Sequence, residues 1–133
     1  MSDPVFDITL LNTASRPLIL TRIGIEITLV SHSSTLSIRP HASKIEVARS
    51  YTLNVPDILT LCGPFGDEPA TLQEVVVLDL SDPIYMPAEA PFRYGLVLRD
   101  YCRHMPQEVY LHLWAQTDAG IARSALLHMS LFR

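Results

Sequence analysis

The chain has 133 residues, 48% hydrophobic and 18% charged, with a formal net charge of -4. That length fits one core of ordinary size and leaves no room for a second domain, and the acidic balance with scattered cations excludes a phosphate-holding surface. Charged residues usually make up about 25% of a chain, so some apolar surface is expected to stay exposed.

Most apolar segments alternate with a period of two, which predicts extended strands rather than helices. Phe6, Ile8 and Leu10 alternate with Val5, Asp7 and Thr9, and the turn formers of residues 12–17 end that strand. Residues 18–30 follow, with Ile19, Thr21, Ile23, Ile25, Ile27 and Leu29 on one face and Arg22, Gly24, Glu26 and Thr28 on the other. Their length predicts a bulge near Gly24. Residues 35–39 read as a short strand, and residues 44–53 alternate with Ile45, Val47, Tyr51 and Leu53 on one side. Residues 54–71 hold three prolines and read as a long loop, with a short strand at 58–61. Residues 72–80 are apolar on both faces and rich in valine, which predicts a strand inside a sheet. Residues 81–91 carry three more prolines and read as a loop.

Residues 92–101 and 108–116 are strands parted by a turn around His104, Met105 and Pro106. The clearest hairpin joins 109–116 to 121–132 through Thr117, Asp118, Ala119 and Gly120, the glycine suiting a left-handed backbone. A helix over 122–132 is the weaker alternative there, carried by Ala125, Leu126, Leu127 and Met129. About eight strands, with no helix to carry a parallel crossover, predict an all-β fold: an antiparallel sandwich, immunoglobulin-like or C2-like, spanning residues 1–133 as a single domain.

Two stretches carry a resemblance. Residues 6–17, with Asn12, Thr13 and Pro17 in the turn, resemble the first strands of immunoglobulin-like modules in bacterial proteins. Residues 91–98, with Tyr94, resemble the late strand of a fibronectin type III or immunoglobulin domain. The Cys-Trp-Cys pattern of antibody domains is absent and Trp114 falls too late for their buried tryptophan, so the resemblance implies architecture and no function.

Catalytic chemistry finds little support. No G-x-S-x-G elbow or glycine-rich phosphate cradle occurs, and Cys62, at a Gly-Pro turn, has no histidine near it in sequence. Cys102 and His104 have an i, i+2 spacing that aims two side chains at one ion if a strand runs through them, with His112 as a third ligand. Asp57, Asp67, Glu68 and Asp82 lack the D-x-D spacing that gathers charge on calcium, and read as solvated loop residues. No cofactor, metal or enzyme activity is therefore expected. The opening residues lack a basic segment followed by an apolar run, and no stretch approaches the ~18 apolar residues of a membrane span. A cytoplasmic protein that contacts neither membrane nor nucleic acid is the expectation, with Cys62 and Cys102 as two reduced thiols.

What remains points to partners. Lys44 is the one lysine beside nine arginines, and arginine is the cation preferred at interfaces. Exposed sheet edges are commonly guarded by lysines, prolines or bulges, so a chain with one lysine relies on the other devices or on pairing with a second chain. Tyr110, His112 and Trp114 share one face of a strand whose other face, Val109, Leu111, Leu113 and Ala115, is wholly aliphatic. The aliphatic face predicts core. The aromatic face, joined by Arg123, is the candidate binding surface. The expected function is a non-catalytic interaction or assembly module acting through a sheet face or edge, self-association included. The alternative is a small-ligand or carbohydrate-binding module that stacks its ligand on the aromatic face.

Overall fold

The computed structural model describes residues 3–31, 49–58, 70–106 and 108–130, which form two β-sheets with almost no helix. The strands are β1 (Val5–Leu11), β2 (Leu18–Ser31), β3 (Ser50–Asn54), β4 (Ala70–Met86), β5 (Pro91–Arg99), β6 (Glu108–Thr117), β7 (Gly120–Arg123) and β8 (Leu127–Ser130). One helical turn, α1 (Tyr101–His104), joins β5 to β6. The smaller sheet runs β1-β5-β3 and the larger β4-β2-β6-β7, with β8 also paired to β6. The all-β expectation therefore holds. No helix among the described residues is long and apolar enough to cross a membrane. The strand expected at 35–39, and all but Ile58 of the one expected at 58–61, lie outside the described residues.

The expected all-antiparallel pairing is corrected at one place. β3 runs parallel to β5, with Tyr51 beside Leu96 and Leu53 beside Leu98. Parallel neighbours need a connection of a dozen residues or more. Here β4, a strand of the other sheet, lies within that connection.

The period-two reading of β2 holds only in its middle. Against β6, β2 carries one extra residue at Thr21 and another at Thr28, so the ladder shifts register twice. Each bulge turns the strand over, and the buried set becomes Leu20, Ile23, Ile25, Ile27 and Val30. The Thr21 hydroxyl donates to the Gln116 carbonyl at 3.2 Å and the Thr28 hydroxyl to the Tyr110 carbonyl at 3.1 Å. The bulges thus flank Gly24 instead of falling on it. Gly24 sits in regular pairing between Val77 and Trp114, where an added Cβ would overlap the Val76 carbonyl oxygen.

Two further boundaries move. β4 continues through residues expected to be loop and ends at Met86, because the register shift opposite Thr21 leaves residues 80–83 outside the ladder. Pro83 therefore costs no β2–β4 ladder hydrogen bond, and among the described residues β4 is an edge strand. The expected strand over 121–132 is split into β7 and β8, and the helical alternative does not form. At the split the Ser124 hydroxyl accepts the Leu113 N–H at 2.8 Å, and the Ser124 N–H donates to the Leu113 carbonyl at 2.9 Å. Both sheets feed one cluster of buried residues, including Ile8, Leu96 and Leu98 from the smaller sheet and Ile23, Ile25 and Leu111 from the larger.

Candidate functional site

β6 has the two unlike faces expected of it. Val109, Leu111 and Ala115 lie in the core, and Leu113 packs against it half-buried. Strand alternation puts Tyr110, His112 and Trp114 together on the opposite face, and register places Arg123 of β7 beside Trp114 and Glu26 of β2 beside His112. The Arg123 Nε donates to Glu26 Oε2 at 2.5 Å, so an ion pair reaches from β7 to β2 across β6. His112 Nδ1 lies 2.8 Å from the Ser124 carbonyl oxygen. A carbonyl only accepts, so Nδ1 carries the hydrogen and Nε2 is the basic nitrogen of the neutral ring. The Tyr110 ring stacks on His128 at 4.4 Å and 5°. Beyond them Glu108 is 4% exposed, and its Oε1 stands 3.8 Å from His128 Nε2.

The four predicted residues are thus neighbours, but they do not form an open aromatic platform. Trp114 is 6% exposed within the single chain. Tyr110 and His112 are half-buried, and Arg123 is engaged with Glu26. The strand that would aim Cys102 and His104 at one ion does not form. Cys102 and His104 lie on α1, where side chains two apart diverge, and His104 Nδ1 turns to the Val55 carbonyl at 2.6 Å. Cys62, Asp67 and Glu68 lie outside the described residues.

A second surface, unnoticed in the sequence, lies on β1. Its register with β5 is continuous over all seven residues, without a bulge. At its ends the Asn12 N–H donates to the Ala90 carbonyl at 3.1 Å and the Leu98 N–H to the Pro4 carbonyl at 3.0 Å. In an antiparallel ladder the bonded positions alternate, so the even residues of β1 direct their N–H and C=O at β5. The odd residues, Val5, Asp7, Thr9 and Leu11, direct theirs away from the sheet. Among the described residues β1 pairs with β5 alone. The side chains of these odd residues are exposed too, Val5 by 57% and Leu11 by 62%.

Asp7 is fixed on this edge by a two-pronged contact, Arg93 Nε to Oδ1 at 2.8 Å and Nη2 to Oδ2 at 2.6 Å. The hydrogen bonds from Arg93 hold the Asp7 carboxyl below its usual range, helped by the guanidinium charge. Inward of β1 the gap between the sheets stays open as two adjoining hollows of about 300 and 280 Å³. Leu10, Ala115 and Ala122 line both. A sequence signal for this edge existed: seven residues with neither lysine nor internal proline. No protein-family model matches this chain, no curated protein matches it, and no solved structure matches it.

Proposed function

We propose that the chain is a β-sandwich of immunoglobulin-like or C2-like architecture that serves as a non-catalytic interaction or assembly module, with the outer edge of β1 as its working surface. The single core drawn from both sheets supports the sandwich, and the unguarded edge supports the function. The contrast with the edges of the larger sheet carries the reading. β4 is interrupted at 80–83, and β7 and β8 are four residues each with a break between them. Interruption and shortness are the devices by which soluble proteins blunt their edges. β1 has neither, and among the described residues its outward backbone groups have no strand partner and are flanked by exposed Val5 and Leu11. Strand addition at such an edge takes affinity from main-chain hydrogen bonds and selectivity from the alternate side chains. The ligand-platform alternative is weakened by the burial of Trp114, which leaves little ring surface for a sugar or base.

The test is a photo-crosslinking residue at Leu11, read in cells with and without Thr9→Pro. The Thr9 N–H points away from β5, so the proline removes a donor that the β1–β5 ladder does not use. Adducts at Leu11 that vanish with Thr9→Pro, in a protein of unchanged circular dichroism, are the expected result. Absence of adducts, or adducts indifferent to the proline, would overturn the reading.

A further inference from the structure

We infer that the partner of the β1 edge is a second copy of this chain, joined antiparallel across a twofold axis at Ile8. The inference rests on the proposed role of the β1 edge and adds its occupant and register. In this register Val5 faces Leu11 of the second copy, Asp7 faces its Thr9, and Ile8 faces its own counterpart. All four outward-directed residues then fall into bonded pairs, each pair exchanging two N–H···O bonds, so the edge is used in full with about eight bonds. A slip by two residues in either direction loses one bonded pair.

Side-chain chemistry selects the same register. The exposed apolar residues Val5 and Leu11 meet each other at both ends of the pairing. Asp7 meets the Thr9 hydroxyl, a hydrogen-bond donor. A slip one way sets Asp7 against Asp7 of the second copy, two like charges directly opposed. A slip the other way sets Asp7 against Leu11 and leaves Val5 without a counterpart.

Arg93 fits as well. It lies directly opposite Thr9 in the β1–β5 register and already holds Asp7. The paired edges therefore gather two arginines and two aspartates around the axis, with no net charge.

Sedimentation velocity over an about hundredfold dilution tests this with three proteins. The wild type is expected to pass from dimer to monomer on dilution. V5K/L11K sets lysine against lysine at both ends and is expected to weaken the dimer at least about tenfold. V5K/L11E sets lysine against glutamate only where Val5 faces Leu11 of the second copy, and is expected to recover most of the loss. Both substituted positions are exposed in the single chain, and circular dichroism confirms folding. A wild type that stays monomeric throughout overturns the inference. So does a V5K/L11K protein as dimeric as the wild type, or a V5K/L11E protein no better than V5K/L11K. Where the wild type is monomeric, adducts from Leu11 to a different protein keep the edge as the working surface and remove only the second copy, whereas no adducts remove both.

Discussion

Asp7 and Asp118 occupy equivalent electrical situations in different parts of the chain. Asp7 accepts two hydrogen bonds from Arg93, and Asp118 accepts the Ile19 N–H at 2.9 Å and Arg16 Nη1 at 3.2 Å. For Asp118 the backbone bond from Ile19 is the larger cause of a lowered pKa, and Arg16 adds to it. A carboxyl whose folded pKa lies below its unfolded one stabilises the fold above the unfolded value, and that contribution is lost as pH falls through the folded one. Both aspartates therefore contribute at neutral pH and stop contributing in acid, below about pH 4. The loss of urea resistance between about pH 6 and about pH 3 is expected to be smaller in Asp7→Asn than in the wild type. Both sites are exposed, so added salt shrinks the difference. An acid limb identical in the two proteins would show that the Arg93 contact does not act in solution.

At the scale of the element, β2 is the strand on which the larger sheet is built, paired to β4 on one side and β6 on the other. Gly24 lies at its middle, and the atoms an added Cβ would strike are backbone atoms of β4, which cannot rotate aside. Gly24→Ala is expected to cost at least about 2 kcal/mol in chemical denaturation, since either the β2–β4 ladder or the strand itself must shift. Thr28→Val keeps the shape at the second bulge and removes the hydroxyl that bonds the Tyr110 carbonyl, so its smaller cost would isolate that one bond. The strands themselves were legible in the sequence, because Phe6, Ile8 and Leu10, or Val109, Leu111 and Ala115, alternate as a half-buried surface demands. What was not legible depends on partners distant in sequence. Thr21 and Thr28 look like any outward residue until β6 is set beside them, and residues 81–86 look like a loop until Ile84 is found opposite Leu20. The parallel β3–β5 pairing leaves no local trace at all. The aromatic face of β6 was legible as a face, but its covering was not, since Arg123 and Glu26 meet only through two separate strand pairings.

For the molecule as a whole, Asn12 stands where the two sheets are tied at one end. Its side chain is buried, its amide nitrogen donates to the carbonyls of Arg16 at 2.9 Å, Pro87 at 3.0 Å and Met86 at 3.2 Å, and its oxygen accepts the Ala14 N–H at 2.9 Å. The turn between β1 and β2 is thereby bonded to the turn between β4 and β5, each of which passes from one sheet to the other. The sequence showed Asn12 only as a turn former. Asn12→Ala takes the partner from the buried Met86 carbonyl and from three part-buried backbone groups at once and is expected to cost about 2 kcal/mol in chemical denaturation, whereas Asn12→Asp loses the donors and keeps the acceptor. Near-wild-type stability of the alanine variant would mean that water replaces the whole network.

The order of strands in the smaller sheet also bears on how the chain is made. β1 is synthesised before its described partner β5, which ends at Arg99, so Phe6, Ile8 and Leu10 of a nascent chain leave the ribosome well before β5 can cover them. β2 and β4 are both complete by Met86, so the larger sheet begins first and waits for the N-terminal strand to be captured. The edge proposed for assembly is thus exposed early enough to meet a neighbouring nascent copy on the same messenger.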